Sequence, residues 1–73
     1  SPKQYVTKYR ILVAKDMLGN TNYNITEIAL SCGFHDSSAF CKNFIKEEGV
    51  TPRQYRNKIN NVQNNHIKPY HME

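Results

Sequence analysis

Four residues in one short window, Ser37, Ser38, Cys41 and Lys42, place small or hydrogen-bonding side chains at helical spacing. At about 100° per residue, Ser38, Cys41, Lys42 and Ile45 fall on one side of a helix, with Ser37 at the margin near its start. Phe40, Asn43, Phe44 and Glu47 fall on the other side. Short side chains let a helix sit deep in a groove. Serine hydroxyls donate and accept there, and a lysine ammonium reaches a base edge or a phosphate. The chemistry on offer is therefore hydrogen bonding to the edges of a nucleic-acid duplex. Thr26, Lys46, Arg53, Arg56 and Lys58 add hydroxyl and cationic groups suited to its phosphates, which position a protein without reading sequence. A merely solvated helix face would accommodate two serines and a lysine equally well. Cys41 and Ile45 fit such a face less comfortably, and either could meet a thymine methyl or another protein segment.

Other chemistries find little support. The formal net charge of +4 over 73 residues favours an anionic partner. Cys32 and Cys41 are neither CxxC-spaced nor part of a dense framework, which reads as two reduced thiols. With His35, His66 and His71 they match no common zinc pattern, so no metal is expected. There is no paired-carboxylate pattern, no phosphate-cradling glycine loop and no Ser/His/Asp arrangement with a scaffold. Asp36 and His35 adjoin, but capping and turn chemistry account for both. No enzyme activity, cofactor or small-molecule ligand is expected. No apolar run approaches the roughly 20 residues that span a bilayer, and no signal-peptide pattern is visible. A cytoplasmic location without membrane contact is expected.

A chain of this size forms at most one domain, and the helices that must hold these residues are legible in its punctuation. Ser1-Pro2-Lys3-Gln4 has the grammar of a helix start. Val6, Ile11, Leu12, Val13, Ala14, Met17 and Leu18 follow without a breaker, which predicts one helix of roughly 17 residues. Gly19 is expected to stop it in the left-handed conformation. Asn24 and Glu27 form a capping box for a second helix, with Tyr23 and Ile28 at the staple positions. Ile25, Ile28, Ala29 and Cys32 mark its apolar face, and Gly33 ends it. Asp36 caps a third helix that runs to about Glu48, with Phe40 and Phe44 turned to the core and Gly49 as its stop. Thr51-Pro52-Arg53-Gln54 opens a fourth, anchored by Tyr55 and Ile59. Beyond about Asn61 the chain is polar, Asn-rich and interrupted by Pro69, and it reads as a disordered tail.

The fold class is all-α. The tight turn Gly33-Phe34-His35-Asp36, with small Ala29 four residues before Gly33, suits a helix-turn-helix. Residues 25–33 would be its supporting helix and 37–48 its recognition helix.

Ile25-Thr26-Glu27-Ile28-Ala29, Cys32-Gly33-Phe34, Phe40, Lys42, Phe44, Gly49-Val50-Thr51-Pro52 and Tyr55-Arg56 together closely resemble the AraC/XylS family of bacterial transcription regulators. Ser1-Pro2-Lys3-Gln4-Tyr5, Arg10, Ala14 and Leu18 resemble that family's linker helix, so the likeness covers residues 1 to about 57. It implies a small helical bundle with one homeodomain-like helix-turn-helix, preceded by a long linker helix. It also implies a tandem reader of two such units, each closing on a Gly-x-Ser/Thr-Pro-x-x-Tyr turn. SPKQY at residues 1–5 and TPRQY at 51–55 would be the two closing turns. On this reading residues 1–19 are the linker helix, 20–61 the second unit with its closing helix, and 62–73 the tail. The base-facing positions carried over are Ser37, Ser38, Ala39 and Lys42. The implied partner is double-stranded DNA. The alternative is a protein-interaction module contacting RNA polymerase or a partner regulator through Ile45, Cys41, Glu47 and Glu48.

Three positions depart from the family pattern. Glu48 replaces an aromatic or apolar residue and is expected to weaken packing of the last turn. Ile45 replaces a common lysine, which removes one possible phosphate contact. Ala39 replaces a frequent aromatic, which is expected to loosen the recognition helix.

Overall fold

Good helix formers without a breaker carry the first helix further than its glycine suggested. The computed structural model describes residues 2–60, and its first helix, α1, spans Pro2–Asn20. Gly19 lies inside it rather than at a left-handed stop: among the described glycines only Gly33 and Gly49 have positive φ. A Cβ added at Gly19 would lie 3.7 Å from Cδ1 of Ile59, so this glycine faces the fourth helix. The helix ends one residue later. The Thr21 N–H and hydroxyl both donate to the Met17 carbonyl, at 3.0 and 2.7 Å, and the Asn20 amide donates to Asp16 at 2.8 Å.

The second helix, α2, spans Ile25–Ser31. Its capping box is formed as expected: the Glu27 N–H donates to Asn24 Oδ1 at 2.8 Å and the Asn24 N–H to Glu27 Oε1 at 2.9 Å. Tyr23, expected to staple against Ile28, leaves half of its surface open, whereas Ile28 is fully buried. The chain then turns at Gly33, φ 93°, and Asp36 caps α3, Ser37–Glu48, by accepting from the Ala39 N–H at 2.8 Å. Gly49, φ 82°, is the left-handed stop. Thr51 and Gln54 close a reciprocal box at 3.0 and 3.1 Å, and α4 follows over residues 52–60 with Pro52 buried at its start. The matching box at Ser1 and the tail beyond residue 60 lie outside the described residues, which hold no strand.

The faces these helices bury explain how they pack. Ile11, Ala14 and Leu18 of α1, Ile28 and Ala29 of α2, and Phe40 and Phe44 of α3 form the core, joined by Cys32 and Phe34 from the turn. The rings make a continuous ladder. Phe34 to Phe40 is 5.4 Å between centroids, Phe40 to Phe44 5.7 Å and Phe44 to Tyr55 5.5 Å, the last two edge-to-face. Such pairs contribute about 0.5–1.5 kcal/mol each beyond the area they bury. The ladder ties α3 to the turn before it and the helix after it.

Glu48, expected to weaken the last turn of α3, is the final residue of that helix. Its carboxylate lies 3.2 Å from Lys15 Nζ, which in turn sits 5.8 Å from the centre of the Tyr55 ring. Both partners remain partly exposed, so the pair contributes about 0–1 kcal/mol. Its effect is to give an acid at an apolar position a neighbour of opposite charge.

Candidate nucleic-acid interface

With Phe40 and Phe44 drawn into the core, the opposite face of α3 is fixed by the helical period. Ser38 and Lys42, one turn apart, are exposed on it, as are Ile45 and Lys46. Ser37, Ala39 and Cys41 are half-buried, and Cys41 packs against the core cluster instead of lying fully outward. Glu47, placed by the helical wheel on the core side, is exposed. Asn43 turns its amide back to the Ala39 carbonyl at 2.8 Å, which satisfies the group within the helix. The outward ridge is thus narrow, with Ser38 and Lys42 as its polar tips.

The cysteines differ in environment. Cys32 is 8% exposed, its Sγ lies 4.0 Å from Met17 Sδ, and desolvation pushes its thiol pKa up. The thiolate is the reactive form. At about pH 8, iodoacetamide is expected to alkylate Cys41 well before Cys32, with the rates converging in urea. Equal native rates, read by mass spectrometry, would contradict this packing. Among the described residues no group of three His, Cys, Asp or Glu side chains could hold a metal ion.

The cations expected to meet phosphate separate into two kinds. Lys46 is exposed in the last turn of α3, and Arg53 and Lys58 are exposed on α4; Thr26 is exposed in the first turn of α2. Arg56 is different. Its Nε donates to the Leu18 carbonyl at 3.0 Å, Nη1 to Tyr23 at 2.7 Å and Nη2 to Thr21 at 3.1 Å. Arg56, expected on the phosphate rim, thus spends Nε and one N–H of each terminal nitrogen on carbonyls of its own chain, because α4 crosses beside the end of α1.

Three further residues shape the site. Arg10 of α1 places its guanidinium carbon 5.9 Å from the Phe34 ring centre, and its Nε would lie 3.2 Å from a Cβ at Gly33. It therefore closes over the turn that aims α3. Asn22 and Asn57 line an open polar cleft with Asn24, Ile25, Arg53 and Arg56. Arg10 carried a sequence signal only as one matching position of the linker helix. Asn22 and Asn57 carried none, since they are 35 residues apart in the chain and meet through the fold.

A profile of the helix-turn-helix domain family matches residues 1–58. The chain belongs to the AraC/XylS family. It is 40% identical over 59 residues to the HTH-type transcriptional activator RhaR of Yersinia pseudotuberculosis, a stretch covering 81% of this chain and 20% of that protein. The RhaR protein of Yersinia pestis gives the same figures. The melibiose operon regulatory protein of Escherichia coli is 44% identical over 54 residues, covering 74% of this chain and 18% of the relative. The chain thus spans about a fifth of the length of these curated relatives. No solved structure gave a significant match. No helix among the described residues is long and apolar enough to cross a membrane. For this AraC/XylS chain, the family's turn Gly49-Val50-Thr51-Pro52 and Tyr55-Arg56 acquires a physical meaning: left-handed stop, capping box, aromatic anchor and carbonyl clamp.

Proposed function

We propose that this chain binds duplex DNA as part of a bacterial transcription regulator, with α3 in the major groove. The observation that carries the reading is the exposed ridge of Ser38 and Lys42, set on a helix whose opposite face is locked by Phe40 and Phe44. Ser37 and Ala39 flank the ridge at the helix start, where recognition helices meet base edges. Cys41 contributes at most its half-open edge. Lys46, Arg53, Lys58 and Thr26 supply the sequence-blind contacts. The activity is binding rather than catalysis, and its setting is the cytoplasm. Regulation of transcription is what the relatives' names describe. It is extended here to this chain on the strength of the shared domain.

A single module buries roughly 600–1,000 Å² against DNA. With about four phosphate contacts, log K falls against log salt with a slope near −3.6. Weak binding follows, toward the non-specific range of about 10⁻⁴ to 10⁻⁶ M. NMR titration with short mixed-sequence duplexes at two salt concentrations tests it: shifts should centre on residues 37–42 and fade with salt. The combined change Ser38→Ala and Lys42→Ala is expected to weaken binding about tenfold, or about 1.4 kcal/mol. No shift at low salt, or no effect of the pair, would defeat the reading.

The alternative, docking on RNA polymerase or a partner regulator, draws support from exposed Ile45 on α3, from Tyr23 just before α2 and from Leu30 within it. Glu48 drops out of that surface because Lys15 engages it. If the Ser38 and Lys42 changes spare DNA binding while Ile45→Ser abolishes polymerase capture, the alternative prevails.

A further inference from the structure

α1 ends without a basic residue in its last turn, although its terminal carbonyls carry the negative end of the helix dipole. The missing cation comes from 38 residues away: Arg56 of α4 donates to Leu18 at that end and to Thr21 and Tyr23 in the connection to α2. A planar guanidinium presents its donors in a fixed fork, so three bonds to three carbonyls constrain their relative positions as well as their number. The clamped stretch leads directly into Asn24, whose side chain caps α2. α2 packs through Ile28 and Ala29 into the core shared with Phe34, Phe40 and Phe44. One side chain therefore joins the end of the long helix, the start of the supporting helix and the closing helix.

We infer that Arg56 is a positioning residue for DNA binding: by clamping the α1–α2 connection it fixes the angle at which α3 is presented relative to the long helix. This rests on the DNA-binding reading, but it assigns Arg56 a role opposite to that of a phosphate contact. A phosphate contact takes part in counterion release, and its loss lowers the magnitude of the salt slope by about 0.9. A clamp holds geometry, and its loss weakens binding with the slope unchanged.

The experiment compares Arg56→Lys, Arg56→Met and, as a reference, Arg53→Met in the full chain. Affinity for a mixed-sequence duplex is measured across salt concentrations under conditions where each variant is folded. Native-state amide exchange is followed at Thr21, bonded to Met17 at the end of α1, and at Asn24 and Glu27, bonded to each other at the start of α2. In the Arg56 variants exchange at these three amides is expected to be at least tenfold faster than in the wild type, with little change at Phe44, and duplex binding to be weaker by about fivefold or more with an unaltered slope. Arg53→Met should reduce the slope and leave exchange unchanged. Arg56→Lys keeps the charge but offers one ammonium to three carbonyls, so it should behave as Arg56→Met does. If Arg56→Met does not fold, the lysine variant carries the decision alone. A slope reduced by about 0.9 with exchange intact overturns the inference, as does wild-type affinity in a variant whose exchange is accelerated. Should the wild-type chain bind no duplex, the DNA reading fails, while the exchange measurement still judges the clamp.

Discussion

Phe44→Ala is expected to cost about 3–5 kcal/mol, enough to leave much of the chain unfolded at ordinary temperatures. Phe44 is fully buried and stands in the middle of the ring ladder, against Phe40 on one side and Tyr55 on the other. Truncation removes the transfer energy of one ring and both edge-to-face contacts, and it opens a cavity where α3 meets α4. Small domains have little reserve, because they bury only about 60% of their unfolded surface. Each kcal/mol shifts the melting temperature by roughly 4–8 °C in a chain of this length. A fall of roughly 20 °C in the loss of helical circular dichroism should follow. Phe44→Leu, which retains most of the volume, should cost markedly less. If Phe44→Ala melted within a few degrees of wild type, the ladder would not be what holds α3 in place.

The second large effect belongs to the turn. Gly33→Val places a β-branched side chain at φ 93°, where its Cβ would also approach the Arg10 guanidinium at 3.2 to 3.5 Å. Strain of this kind costs roughly 1–3 kcal/mol, and a β-branched residue belongs at the upper end. Gly49 is the natural control: its φ is 82°, but a Cβ there meets nothing within 4 Å. Gly49→Ala should therefore cost only the backbone penalty, about 1–2 kcal/mol. Gly33→Ala should exceed it by the cost of moving Arg10. Because the contact is with the far end of a flexible side chain, that excess should be small, and Arg10→Ala should remove it. Urea unfolding of the variants reads these differences. Equal stability of Gly33→Val and wild type would mean that the turn is not held as described.

Local signals were legible wherever one short-range interaction decides the outcome. Asn24 with Glu27, Asp36, Gly49, and Thr51 with Gln54 each act within a few residues, so the order of residues is enough to reveal them. The stop at Gly19 misled for the opposite reason. A glycine there has two possible uses, a left-handed stop or a close approach, and Ile59, 40 residues away in the chain, selects the second. Cys41 shows the same effect on a finer scale. Helical periodicity places it on the outer face, but the core extends around the helix far enough to cover part of it.

From the amino-acid sequence alone came the helical class, the order of supporting and recognition helices, the buried pair Phe40 and Phe44, and hence the outward Ser38 and Lys42. Helix caps, glycine stops and the helical period depend on neighbours in the chain, so the order of residues is enough to specify them. Only the tertiary structure decided which cations remain available. Arg53 and Arg56 have the same side chain on the same helix, three residues apart, yet one is exposed and the other grips Leu18, Thr21 and Tyr23. A side chain's charge is written in the sequence. Its partners are set by where distant carbonyls arrive once the helices have packed.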